Sequence, residues 1–380
     1  MSIYLDHTAS TRPTPAVLET YGRQLAEVYA NPSSPHQAGR EAEKSLLDSR
    51  KRIAKHLGCA PDSLILTSGG SESINMALKG CLLRSSRLPR RLLISQGEHA
   101  AVWETAAWLE TQGCTVDRLP LTGQGVVDLD ALDRALREPA GLISLILVNN
   151  ETGAVNDPAR IVALRDRLSP KTPIHLDAVQ AWGKIPMAFD ASGVDLLSGS
   201  GHKLGAPKGI GWLLRHPRCR LDALVHGGGQ QKGYRSGTEN PPLAAALAAA
   251  LDEAIPGTEA LARTARSYSE LLLAELDAAG TRYTVLSPPT RAWPILAVSF
   301  TGLRGETLVN ALSAESIYIA SGSACSSRRG KGNRVLTAMG FDAATVLGAV
   351  RISFARTNTT DEIHSAARAI NTAWRRLARP

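Results

Sequence analysis

The stretch "DSLILTSGGSESINMALKG" (residues 62–80) runs from a short apolar segment through a Gly-Gly turn straight into a helical pattern. A strand closed by small polar residues and followed at once by a helix is the repeating unit of a parallel sheet. The chain repeats it. "RLLISQ" (91–96), "GLISLILVNN" (141–150), "PIHLDAV" (173–179) and "DLLSGS" (195–200) are further apolar runs ending in polar or small residues. Between them, helical patterns cover 41–57, 71–83, 100–111, 128–138 and 158–168. Such alternation predicts an α/β fold whose mainly parallel sheet is covered on both faces. The polar residues gather at the C-terminal ends of the strands, the edge where open α/β sheets bind ligands.

Beyond Pro241 and Pro242 the pattern changes. An Ala-rich helix is expected over 243–255 and a long amphipathic one over about 257–279. "RYTVLS", "ILAVSF", "SIYIAS" and "VRISFA" then read as strands before a C-terminal helix. The expected division is a large α/β domain over 12–258. Residues 1–11 and 259–380 form a smaller α+β domain carrying a cysteine loop at about 320–334.

The 380 residues are 43% hydrophobic and 21% charged, an ordinary globular balance with ample length for a core. No run of 18 apolar residues is present, so no membrane span is expected. The opening "MSIYLDHTAS" lacks the basic and apolar regions of a secretory signal. Five cysteines (59, 81, 114, 219, 325) contain no C-x-x-C pair, which argues against a disulfide framework and a zinc site. No metal is expected, and a cytoplasmic location fits best. Net charge is +8, gathered near 84–91, 215–220, 328–334 and 375–379. Without aromatic interleaving, a solvated basic face is the better reading than direct nucleic-acid contact.

Several residues carry chemistry. "TSGGSES" (67–73) offers backbone N–H groups and a helix N-terminus to a phosphate, although a plain β–α turn gives the same text. It lacks the lysine of a P-loop and the spacing of a dinucleotide fingerprint. In "SGSGHKLGAPKG" (198–209), Lys203 follows an apolar strand, a setting in which a desolvated amine can form a Schiff base. Asp177 ends another strand and suits a pyridinium nitrogen; the plainer role is a turn residue. His99, just past a third strand, sits on the same edge. A phosphate cup, a lysine, a pyridinium partner and a stacking histidine together ask for pyridoxal 5'-phosphate. "SGSACSS" (321–327) places Cys325 among residues that favour an exposed loop, a poor place for an inert thiol.

With these motifs in view, the chain resembles the cysteine desulfurases, class V aminotransferase-like enzymes of fold-type I. The resemblance is nearly end to end: "YLDHTAST", "NPSSPHQAGR", "TSGGSES", "EHAAV", "VNNETG", "HLDAVQAWGK", "SGSGHKLGAPKG", "HGGGQQKGYRSGTEN", "SGSACSS" and "VRISFA". It implies a seven-stranded, mainly parallel sheet in the large domain and membership of the mobile-loop group. It implies that Lys203 bears the cofactor, that His99 stacks on its ring, that Asp177 holds the ring nitrogen and Gln180 the phenolic oxygen. Gly70, Ser71, Ser200 and His202 would bind the phosphate, with Thr238 supplied by the other subunit of a homodimer. Asn150 and Arg351 would hold the carboxylate of L-cysteine, with Asn31 nearby. Cys325 would be the nucleophile that leaves with the sulfur as a persulfide.

The chain departs from the family at His7, where Asn is common, at "GGSES" for "GATES", and at the basic "SSRRGKGNR" after Cys325. The basic text suits an acidic sulfur acceptor or scaffold, in iron–sulfur assembly, tRNA thiolation or DNA phosphorothioation. Rival readings are a selenocysteine lyase or another class V enzyme, an inactive sulfur-carrier scaffold, and a DNA-binding protein acting through charge alone.

Overall fold

The computed structural model describes residues 2–85, 89–322 and 333–378. Thirteen strands are present among the described residues: β1 (Ile3–Tyr4), β2 (Leu64–Thr67), β3 (Arg91–Ser95), β4 (Thr115–Leu119), β5 (Leu142–Ile146), β6 (Ile174–Asp177), β7 (Leu196–Ser200), β8 (Gly211–Arg215), β9 (Tyr283–Val285), β10 (Ile295–Phe300), β11 (Ile317–Tyr318), β12 (Ala320–Ser321) and β13 (Ala349–Ser353). Seven of them form one sheet in the order β2-β8-β7-β6-β5-β3-β4. Every pair from β7 to β4 is parallel, while β8 runs antiparallel to both β7 and β2. The expected mainly parallel seven-stranded sheet is therefore present. The residues of β5, β6 and β7 are all buried, as a sheet covered on both faces requires.

Glycine sets how closely the central pieces approach. A Cβ on Gly199 would fall 2.1 Å from the Trp212 ring, and one on Gly211 would fall 2.6 Å from Gly69 Cα. These contacts bring β7, β8 and the Gly69–Gly70 turn together at one edge. The helix Gly70–Leu82 follows that turn, and Ala100–Thr111 and Pro158–Leu168 lie where the helical periodicity puts them.

A second, antiparallel sheet has the order β12-β13-β10-β9. Helices Thr258–Ala278, Gly305–Ala314 and Thr360–Leu377 supply Leu272, Leu276, Leu308, Leu312, Ile363 and Ile370 to its core. Thr359 and Glu362 close a capping box on the last helix. The N-terminal strand joins this body: β1 pairs in parallel with β11, and Leu5 lies in the same apolar cluster. "SIYIAS" is two strands, not one. Ser316 enters at a positive φ of 61°, β11 pairs with β1, and β12 pairs with β13.

Candidate active site

The C-terminal ends of the parallel strands deliver the site. After β7 one short helical turn (Gly201–Lys203) presents Lys203, whose Nζ donates to Thr8 O and Ala9 O, each at 2.8 Å. Gln180, past the end of β6, donates from Nε2 to the same Thr8 O at 3.0 Å. The N-terminal segment thus draws Lys203 and Gln180 together. Thr11 locks it there, donating its N–H to His202 O and its hydroxyl to Lys203 O.

Asp177 closes β6 and is buried; its Oδ1 accepts from Val179 N at 3.0 Å and Ser198 Oγ at 3.3 Å. Burial pushes its carboxyl pKa up, while nearby His99 and Lys203 oppose that rise. His99 caps the helix Ala100–Thr111, accepting from Ala101 N at its Nδ1. With Nδ1 as acceptor, the ring proton belongs on Nε2. Burial pulls the His99 pKa down, and Asp177 opposes that shift. The lowered pKa favours the neutral ring.

Beside them, the N-cap of Gly70–Leu82 is Gly69, which has no side chain to cap it, so among the described residues its first N–H groups are open to an anion. Ser200 borders this turn, a Cβ on Gly69 lying 3.8 Å from its Oγ. His202, held near Ser10 at 3.4 Å, is pushed down to about 4 by burial. Ser71 is exposed on the first turn. Gln180 Oε1 is buried without a hydrogen-bond partner among the described residues. This donor set fits pyridoxal phosphate: an uncapped helix and hydroxyls for phosphate, Asp177 for the ring nitrogen, His99 for the ring face and Lys203 for the aldehyde carbon.

Arg351 on β13 reaches the same edge. Its Nη1 donates to Asn150 O at 2.9 Å and its Nη2 to Asp6 Oδ1 at 2.8 Å. The guanidinium is thus aimed at the site and braced by Asp6. Among the described residues, no hydrogen bond joins Asn31 or Thr238 to this group. Asn31 is exposed and accepts from Ser33 N, and Thr238 is exposed along a cleft of about 210 Å3 with Thr67, Ser68 and Arg235. Cys325 and its basic neighbours Arg328, Arg329 and Lys331 lie outside the described residues.

Four further groups in or near the site escaped the sequence reading. Asp6 lies in the quoted "YLDHTAST", yet nothing in that text shows it meeting Arg351. Glu98, adjacent to His99, accepts from Ile146 N at 2.9 Å and ties the end of β3 to β5; burial pushes its carboxyl up to about 8. Glu151, next to Asn150, is pushed up to about 7 by burial and accepts from Asn333 Nδ2. Lys184 is buried with no hydrogen-bond partner among the described residues, and burial lowers it to about 7. An acidic residue beside a strand-end His or Asn is the one available signal for Glu98 and Glu151.

The model of the aminotransferase class-V family matches residues 3–365. A cysteine desulfurase IscS of Neisseria meningitidis serogroup C is 36% identical over 372 residues, covering 97% of this chain and 91% of that protein. The chain belongs to the cysteine desulfurases of the class-V aminotransferase family. The desulfurase fold extends to solved structures. A NifS-like protein aligns over 99% of this chain and 100% of its own, with a TM-score of 0.94 and 33% identity. The structure of SspA in complex with cysteine aligns over 93% of this chain and 99% of its own, with a TM-score of 0.81 and 30% identity. The family's cofactor is pyridoxal phosphate, in agreement with the donor set. As an enzyme, the desulfurase is a sulfurtransferase.

Proposed function

We propose that this desulfurase converts L-cysteine to L-alanine and takes the sulfur onto Cys325 as a persulfide. The observation that carries the reading is the meeting of Lys203, His99, Asp177 and Gln180 at one sheet edge, with Arg351 aimed at it. Bound pyridoxal phosphate supplies an electron sink for the pair left when the substrate Cα loses its proton. Arg351 holds the substrate carboxylate through its planar fork, with Asn150 beside it. The Lys203 amine takes the Cα proton. His99, neutral with its proton on Nε2, assists its movement.

Cys325 thiolate then attacks the substrate sulfur. The C–S bond breaks and an S–S bond forms. Alanine gains a hydrogen at its new methyl, and no external oxidant or reductant is needed. Arg328, Arg329 and Lys331 favour the thiolate. The sulfur passes on to an acidic protein acceptor or scaffold serving iron–sulfur assembly, tRNA thiolation or DNA phosphorothioation.

The functional unit is a homodimer in which Thr238 of each subunit serves its neighbour's phosphate site. Exposed Leu18, Leu25, Tyr29 and Leu47 supply apolar surface for it. Residues 12–258 form the cofactor body, and residues 1–11 with 259–380 the smaller one. The compartment is the cytoplasm; all four described cysteines are free thiols, in keeping with a reducing environment. No helix among the described residues is long and apolar enough to cross a membrane.

Single-turnover release of alanine from L-cysteine tests the reading, with pyridoxal phosphate and without reductant. Wild type is expected to give about one alanine per site and one persulfide, and Cys325→Ala neither. Equal yields from the two proteins would remove Cys325 from the mechanism.

A further inference from the structure

Asn333 is 1% exposed and uses its whole amide. Nδ2 donates to both Gly322 O and Glu151 Oε2, while Oδ1 accepts from Leu336 N at 3.0 Å and caps the helix Arg334–Ala338. One side chain therefore joins three places: the end of β12, the start of that helix, and the strand-end loop that carries Asn150. Gly322 permits the approach. A Cβ there would lie 3.3 Å from Asn333 Nδ2 and 3.1 Å from the Ala349 side chain. Gly322 N is itself held, donating to Ala349 O at 3.0 Å.

A second tie reinforces the first. The Arg334 guanidinium lies 4.5 Å from the centre of the Trp103 ring, on the helix that His99 caps. The wall these ties grip is the substrate side, because Arg351 donates to Asn150 O and pairs across the sheet with Ala320.

In the sequence, Cys325 comes three residues after Gly322 and eight before Asn333. We propose that Asn333, with Glu151 and Gly322, is a clamp that fixes both ends of the Cys325 segment to the substrate wall and so positions the thiol for sulfur transfer. The inference rests on the reading of Cys325 as nucleophile. Pinning both ends of a segment limits the volume its middle can sample, which raises the effective concentration of the thiol at the substrate sulfur. Asn333 touches no reacting atom in this scheme. It is a positioning residue, so its loss acts on the rate of the sulfur step and not on capture of cysteine.

The test uses the full chain loaded with pyridoxal phosphate. Asn333→Asp keeps the helix cap, since Asp caps as well as Asn, but sets a carboxylate against Glu151 in place of the two amide donors. Three quantities are read: kcat and KM for alanine formation, the visible absorbance of the bound cofactor, and the alkylation rate of Cys325 by iodoacetamide relative to Cys59. The expected result is a kcat lower by about tenfold at near-constant KM and absorbance, with a relative alkylation rate changed several-fold. Adding Glu151→Gln to Asn333→Asp restores a donor–acceptor pair and should recover much of the rate. Unchanged kcat and alkylation in Asn333→Asp overturn the clamp. Asn333→Ala is the harsher variant; if it does not fold, Asn333→Asp decides. Cys325→Ala separates the two ideas: undiminished alanine formation in that variant removes the thiol's role and the clamp's with it. An inactive Cys325→Ala beside an unaffected Asn333→Asp removes the clamp alone.

Discussion

His7 is buried against Tyr4, ring centres 4.9 Å apart. Burial lowers it to about 4. The unfolded ring takes a proton near 6.5, so the folded state binds fewer protons between these values. Stability is therefore full above pH 6.5 and falls as pH drops toward 4. His7→Asn should remove about 2 kcal/mol of that decline, read as the difference between the two proteins' urea midpoints at pH 7 and pH 4. Lys184 titrates in the same sense but in a higher pH window. Its amine, pulled from 10.5 to about 7, gains no acceptor among the described residues, and Lys203 and Arg351 add to the burial penalty. The folded state then binds fewer protons between 7 and 10.5, so stability rises with pH across that window. Lys184→Met should stabilise the apoprotein by about 3 kcal/mol at pH 7, with the gain shrinking toward pH 10.5. An equal gain at both pH values would mean that the amine's charge is not the cause. Burial also explains what the text could not show. Lys203, His99 and Asp177 are legible because each follows an apolar run, whereas the burial of Lys184, Glu98 and Glu151 depends on neighbours far away in the chain.

At the scale of elements, the strands read most plainly are those buried on both faces, such as "LISLI" of β5, while "RYTVLS" is read from its β-branched and aromatic residues although β9 is largely exposed. β4 was not legible because "TVDRL" is a half-exposed edge. Its charges are used locally, Asp117 by Arg91 and Arg118 by Glu110 at 2.8 Å. β8 is fully apolar at its centre but only five residues long, and nothing in its text signals that it runs antiparallel to both neighbours. Pairing also depends on a charge hidden between strands. Asp195, which precedes β7, accepts from Ile174 N at 2.8 Å, Arg165 Nη1 at 2.9 Å and Arg218 Nε at 2.6 Å. It thereby fixes β6 beside β7, and hence Asp177 beside Ser198. Arg165 is itself 4% exposed and keeps Asp166 and the carbonyls of Thr172 and Gly193, so Asp195→Ala removes one buried partner of a guanidinium that stays paired. A loss of about 1–3 kcal/mol in urea unfolding is expected. Loss of visible cofactor absorbance at a lower urea concentration than in wild type should accompany it. A change under 1 kcal/mol would show that water replaces the carboxylate freely.

The whole molecule carries an apolar surface that one chain does not cover. Leu18 and Leu25 stand two turns apart on one face of the helix Pro15–Glu27, at 53% and 54% exposure, and Tyr29 just beyond is 81% exposed. Leu47 adds to them from the helix Gln37–Leu57, which Ser45 links to Gln24 by a 2.7 Å hydrogen bond. The neighbouring polar text points the same way. Asn31 and Thr238 are exposed, and on the homodimer reading they serve the phosphate or substrate site of a second copy. Leu25→Glu with Tyr29→Glu should therefore raise the monomer fraction in sedimentation velocity and lower the occupancy of pyridoxal phosphate in proportion, since Thr238 is withdrawn together with the partner. Thr238→Val separates the two effects: it should weaken cofactor binding by about tenfold, the loss of one charge-assisted hydrogen bond, while sedimenting as a dimer. If the double variant remains dimeric, the apolar face is not the seat of assembly. If it becomes monomeric with cofactor affinity unchanged, each subunit completes its own phosphate site and Thr238 takes no part in it.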